Sequence, residues 1–191
     1  MSKSREQVLD YLMKIDVTDM KVLDVGAGEG RYQAKNWFKG KPKEYVTCDI
    51  DGEHDFLFDL NTSLEEQISY DHWEAYDMVF CFETLEHVWN PIEAMRSLKG
   101  FVKDGGELYM STPFVNPIHD KWDYLRYTSE WYEKVLEDFS LVEVLPRIAT
   151  TGEEHLRDFF KAEGMRMSKV ALKAGKGKHM YDIGYIVRAI K

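Results

Sequence analysis

The sequence predicts an α/β fold: a mostly parallel β-sheet with helices on both faces and an antiparallel final strand. Three observations predict it. Short apolar runs of strand length alternate with helical stretches up to about residue 112, and such alternation implies right-handed crossovers and a sheet buried on both sides. The first run is followed at once by three glycines in five positions, in "VLDVGAGEGRY", Val22 to Tyr32. Beyond residue 112 the rhythm changes to one helix and two strands, which can pair as neighbours and give the sheet a reversed edge.

The elements follow in order. Within residues 1–16, "SREQVLDYLMKI" carries a Ser4…Gln7 capping pair and apolar Val8, Leu9, Tyr11, Leu12 and Ile15, an amphipathic helix. "KVLDV" (21–25) is a buried strand, and "RYQAKNWFKG" a helix stopping at Gly40, with Pro42 as a second stop. "EYVTCDI" (44–50), "DFLFDL" (55–60) and "YDMVFCF" (76–82) are further strands. Asn90, Pro91 and Glu93 stand as N-cap, first and third residues of the helix "PIEAMRSLKGFV", which "DGG" ends. "ELYMST" (107–112) is a strand, "SEWYEKVLEDF" a helix, and "LVEVLPRI" (141–148) and "YDIGYIVRAI" (181–190) the last strands. Residues 149–180 read as a helical insertion or lid; Phe159, Phe160, Met165 and Met167 suit a core face or an adaptable cover.

Composition bounds the function. A chain of 191 residues fits a single domain, 1–191, with a full core. The 34 acids against 25 bases, a formal charge of −9, disfavour general nucleic-acid binding. No run of membrane-spanning length and no leader pattern is seen, so the expected location is cytoplasmic, without membrane attachment. Cys48 and Cys81 sit inside apolar runs and read as buried free thiols rather than as a disulfide or metal site.

The glycines discriminate among ligands. A strand turning into a helix through glycines leaves free amides and a positive helix end at the sheet's C-terminal edge, where nucleotide-like ligands bind. A dinucleotide fingerprint needs G-x-G-x-x-G, but Arg31 occupies the place of its third glycine, and no Gly-Lys-Ser/Thr phosphate loop is present. Asp49 ends the second strand 23 residues after Gly26, where a carboxylate can accept both ribose hydroxyls; Asp51 is the near alternative. Asp59 and Leu60 end the third strand as an acceptor for an exocyclic amine beside an apolar surface for a purine.

Together "VLDVGAGEG", "YVTCDID", "FDL" and "YDMVFCFETLEHVWNP" resemble the successive motifs of the class I S-adenosylmethionine-dependent methyltransferases, in the right order over residues 20–114. "LEHV", Leu85 to Val88, resembles a branch that includes many small-molecule methyltransferases. The resemblance implies a Rossmann-like seven-stranded mostly parallel sheet with S-adenosyl-L-methionine as cofactor. It implies that Gly26, Ala27 and Gly28 approach the methionine part and that Asp24 is linked, often indirectly, to the cofactor's amino group. Asp49 holds the ribose, Ile50 packs on the adenine, Asp59 and Leu60 edge it, and Phe82 and Glu83 face the cofactor's centre. His87 contacts cofactor or acceptor, or orients the loop before the Asn90 helix. The place where base N-methyltransferases commonly carry an Asn/Asp-Pro-Pro-aromatic signature reads "CFETLEH", which argues against nucleic-acid bases as acceptors.

Methyl transfer from a sulfonium is an in-line displacement, for which a protein aligns the reactants, excludes water and removes a proton where needed. It requires neither a protein nucleophile nor a metal, and neither is expected. "TPFVNPIHDKWDYLRYT", Thr112 to Thr128, supplies the acceptor groups. His119 is the candidate base, because imidazole titrates near neutrality; Tyr124 can share or replace it, and Arg126 can hold an acidic acceptor or pair with Asp123. A plainer account makes Asp123–Arg126 a structural ion pair, Tyr127 a core residue and Thr128 a helix cap. The expected activity is methyl transfer to oxygen or nitrogen of a small molecule, with a protein or modified RNA as other acceptors. A catalytically silent S-adenosylmethionine-binding or partner-binding protein of the same fold is the rival, and a nicotinamide-dependent oxidoreductase a more distant one. Oligomeric state is not read from the sequence.

Overall fold

Period-two burial, with apolar residues on both sides of each central strand, builds the centre of the molecule. A computed structural model describes residues 3–30, 33–67, 70–116, 118, 121–149 and 181–191. Its strands are β1 (Lys21–Val25), β2 (Glu44–Asp49), β3 (Phe56–Leu57), β4 (Tyr76–Phe82), β5 (Val102–Pro113), β6 (Leu141–Ala149) and β7 (Tyr181–Ile190). They form one seven-stranded sheet in the order β3-β2-β1-β4-β5-β7-β6. Pairs from β3 through β5 are parallel, and β7 is antiparallel to both β5 and β6. The reversal is therefore one strand, β7, lying inside the sheet, and the edge strand β6 again points with the parallel set.

Each face has its own core. Leu23 and Val25 of β1 and Val79 and Cys81 of β4 pack on one side, under α3 (Pro91–Phe101) and α4 (Ser129–Val135). Val22, Met78 and Phe80 point the other way, onto Val8, Leu12 and Ile15 of the segment containing α1 (Lys3–Leu12). Burying a side chain of this size stabilises by about 1.5–3 kcal/mol, so the two layers fix register as well as stability: a one-residue slip would exchange them. Both cysteines lie in this interior as free thiols.

Three local readings are corrected. The expected helix over 31–40 is, among its described residues, only a short 3-10 turn, Ala34–Asn36. There the Asn36 side chain donates to the Gly30 and Gln33 carbonyls, and Lys39 is drawn into hydrogen bonds with Ile15 and Val17. Tertiary pairing thus overrides helix propensity. The Gln7 amide donates to Ile148 O (3.0 Å) and accepts Ile148 N–H (2.9 Å), tying α1 to β6. Asn90 stands at the N-cap without a side-chain cap bond, because its amide donates to Asn61 O. β5 begins at Val102, before the "DGG" turn, with a register shift opposite Tyr76 and Met78. The insertion or lid expected over 149–180 lies outside the described residues, apart from Ala149, which ends β6.

Candidate active-site cleft

The sheet order reverses beside β1, because β2 continues to one side and β4 to the other. This switch point opens a crevice at the C-terminal ends of the strands, the usual ligand position in such sheets. A cleft of about 260 Å³ lies there.

Its first wall is the glycine bend. Gly26, Gly28 and Gly30 have φ of 66°, 58° and 56°, a region in which a side chain costs roughly 1–2 kcal/mol. A Cβ at Gly26 would also overlap the Thr84 side chain. The amides are not free, which corrects the expectation of bare donors at a helix end. Gly26 and Ala27 donate to Cys48 O (2.9 and 3.2 Å), and Gly28 donates to the Asp49 carboxylate (2.9 Å). The glycines here give shape and close approach.

Asp24 lies beneath the bend and does not line the cleft. Its carboxylate accepts Ala34 N–H (2.8 Å) and the Tyr45 hydroxyl. Burial pushes its pKa up to about 6, with the bonds from Tyr45 and Ala34 pulling against that rise. Its linkage is to the protein's own loop.

Gly26, Asp49, Ile50, Asp59, Leu60, Glu83 and His87 line the cleft together, as do Thr84 and Asn61. Asp49 accepts Gly28 N–H on one oxygen and Ile50 N–H (2.7 Å) on the other. A carboxylate has about four acceptor sites, so capacity for two hydroxyls is left. Ile50 is 60 % exposed beside it, an apolar surface without a protein partner large enough to bury it. Asp59 accepts Asn61 N–H and its side-chain amide (2.9 and 2.8 Å). The Asn61 side-chain oxygen Oδ1 in turn accepts Trp89 and Asn90 N–H (3.0 and 3.1 Å), clamping this rim to the start of α3. This arrangement fits an adenosyl group: a carboxylate for the ribose, an apolar face and an amide-rich edge for the base. Phe82, by contrast, packs toward Phe80 on the other side of the sheet and is outside the lining.

Glu83 leaves β4 at φ 51°, an uncommon conformation for a side-chain-bearing residue that marks functional turns. Its carboxylate accepts the Ser111 hydroxyl (2.8 Å) and lies 3.1 Å from the Arg147 guanidinium. Glu86 is 1 % exposed; burial first, then the Glu83 charge, pushes its pKa up to about 8 against the pull of Arg147 and Arg126. His87 places Nδ1 3.3 Å from Trp122 O and Nε2 3.9 Å from Glu86.

Of the acceptor-loop candidates, His119 lies outside the described residues. Tyr124 is 46 % exposed, its amide donating to Glu86 O (2.8 Å) and its ring 6.2 Å from Trp122. Arg126 makes a two-pronged contact with Asp123 and also donates to Leu125 O and Asn116 O. Tyr127 is buried and donates to Leu85 O (2.8 Å), and Thr128 caps α4 by accepting Trp131 N–H. Neither Tyr124 nor Arg126 lines the cleft. Thr84, Asn61, Ser111 and Arg147 were missed. Thr84 and Asn61 had a signal, since each directly follows or adjoins a motif residue; Arg147 had none without strand register.

Fold and cleft place the chain among the α/β proteins with a crevice at the switch point of a mostly parallel sheet. The comparisons make the class specific: residues 2–164 match the methyltransferase-domain family. The chain is 35 % identical over 103 residues to a ubiquinone biosynthesis O-methyltransferase of Aliivibrio fischeri, covering 48 % of this chain and 43 % of that one. A protein of the same description from Xanthomonas oryzae pv. oryzae is 26 % identical over 163 residues, covering 80 % and 62 %. The chain thus spans less than two thirds of these relatives. Among solved structures, phosphoethanolamine N-methyltransferase 2 of Haemonchus contortus, in complex with S-adenosyl-L-methionine, shares the fold at TM-score 0.61 and 13 % identity, over 97 % of this chain and 51 % of that one. The chain belongs to the methyltransferase-domain family, the class I S-adenosylmethionine-dependent methyltransferases. Among the described residues no helix is long and apolar enough to cross a membrane.

Proposed function

We propose that this chain passes a methyl group from S-adenosylmethionine to an oxygen or nitrogen atom of a small-molecule acceptor. The observation that carries the reading is the Asp49 carboxylate beside the glycine bend at the switch point, with Ile50 and the Asp59–Asn61 rim completing an adenosyl-shaped cleft. In this reading Asp49 binds the ribose, Ile50 packs on the adenine, and Gly26 to Gly28 let the methionine part approach the backbone. Leu60 supports the adenine edge from below, and Glu83 faces the centre of the cleft.

The acceptor enters on the side of His87, where Tyr124 and Trp122 flank the mouth. Deprotonation falls to His119 or Tyr124, and alignment excludes water from the transfer. The O-methyltransferase description of the two relatives supports a small molecule methylated on oxygen. The acidic cleft wall and the charge of −9 weigh against a nucleic-acid acceptor.

A second reading, a silent S-adenosylmethionine-binding protein, is favoured by Arg126 being engaged with Asp123 and by Tyr124 standing outside the cleft lining. Incubation of the chain with methyl-labelled S-adenosylmethionine and fractionated small molecules from its host separates the two. Label in a small-molecule fraction supports transfer. Tight donor binding with label in no fraction supports the silent reading.

A further inference from the structure

β6 is the edge of the sheet, and its neighbours Leu145 and Ile148 are 41 % and 37 % exposed, yet between them Arg147 is fully buried. The reason lies opposite. Arg147 pairs in register with Gly184 of β7, where a Cβ would collide with the guanidinium. The side chain crosses β7 through this gap and reaches β5, where it donates to Thr112 O. Its other terminal nitrogen lies 3.1 Å from the Glu83 carboxylate, on the oxygen that also accepts Ser111.

A charge in this position is costly. Neither Arg147 Nε nor the terminal nitrogen facing Glu83 makes a hydrogen bond among the described residues, so the contact with Glu83 is one of charge, and an apolar side chain would fill the space with less desolvation. What the guanidinium adds is control over one carboxylate. Glu83 and Glu86 both lie within its field, but Glu86 is buried, takes no hydrogen bond among the described residues, and has its pKa raised to about 8. Glu86 is also faced by Arg126 and His87, and by the Tyr127, Tyr132 and Cys81 side chains. Burial and the Glu83 charge push Glu86 toward its protonated form, and the Arg147 guanidinium lies in direct contact with Glu83.

We propose that Arg147 is a positioning residue: with Ser111, and through the gap at Gly184, it holds the Glu83 carboxylate turned into the cleft toward the cationic end of the methyl donor. This rests on reading the cleft as the S-adenosylmethionine site. Glu83 lines the cleft while its carboxylate is tied to Ser111 and Arg147, which fits such a role.

Calorimetric titration with S-adenosylmethionine at neutral pH tests it as a double-mutant cycle. Arg147→Met weakens binding about tenfold and Arg147→Lys about threefold, while Glu83→Gln alone weakens it to a similar degree as Arg147→Met. In the Glu83→Gln background neither Arg147 substitution weakens binding further. A merely structural arginine would lower affinity equally in both backgrounds, and that result, or wild-type affinity in a folded Arg147→Met chain, overturns the proposal. Should Arg147→Met fail to fold, the Arg147→Lys pair decides alone by the same comparison. Absence of any binding to the unaltered chain would overturn the cofactor reading, and this proposal with it; binding unaffected by the cycle overturns the proposal alone.

Discussion

The Asp49 carboxylate accepts the Gly28 amide at 2.9 Å, so the end of β2 and the glycine bend after β1 are joined across the cleft by one charged hydrogen bond. That bond fixes the two walls relative to each other before any ligand binds. Its remaining acceptor capacity faces the cleft.

Asp49→Ala should therefore weaken S-adenosylmethionine binding by about 1–3 kcal/mol, through loss of charge-assisted bonds and of the fixed wall. Asp49→Asn, which keeps an acceptor for Gly28, should lose less. Calorimetry on both variants checks the order, and equal affinity across all three chains would remove Asp49 from the site.

Gly26 is the critical position of the wall formed by the glycine bend. Gly26→Ala meets both a φ of 66° and the Thr84 side chain. The backbone conformation alone costs roughly 1–2 kcal/mol, so the variant should melt lower and bind the donor more weakly. Adding Thr84→Ala should recover part of the loss by removing both the hydroxyl and the methyl that crowd the new Cβ; thermal melts of the single and double variants read this directly.

The buried carboxyls set a pH dependence with a definite sign. Glu86 has a folded pKa of about 8 against an ordinary 4.5. The folded chain then binds more protons than the unfolded one between these values, so this group's contribution to stability falls as pH rises from about 4.5 to about 8. Asp24 acts alike between about 3.8 and about 6. Glu86→Gln should flatten the decline above pH ~6, where Asp24 no longer contributes. Denaturant midpoints across that range, compared between the two chains, measure the difference.

Tyr45→Phe removes the hydroxyl that Asp24 accepts beneath the glycine bend. Leaving a buried carboxylate with only the Ala34 amide should cost about 1–3 kcal/mol and move Asp24's titration upward. Urea unfolding gives the first quantity. An unchanged midpoint would mean that another group supports Asp24.

Much of this architecture is legible in the residues because the central strands, buried on two faces, are written as short apolar runs; the exposed edges β3 and β6 were legible as well. The cleft lining was legible where a motif residue ends or closely follows a strand: Asp49 ends β2, Glu83 directly follows β4 and Asp59 lies two residues past β3. The stretch after the bend was misread because Trp37, Phe38 and Lys39 answer to the segment after α1 instead of to their own helical period. Asp24 and Phe82 carry motif positions but face the loop support and the opposite core layer. Arg147 was invisible for a topological reason. In "LVEVLPRI" it reads as the polar side of an edge strand, and only pairing with Gly184 reveals that it points inward.

The most direct test of the central claim is a titration of the isotope-labelled chain with S-adenosylmethionine, followed by backbone amide resonances. Saturable shifts centred on Gly28, Ile50 and Asn61 are the predicted result. No binding, or shifts confined to residues away from the switch point between β1 and β4, would contradict it.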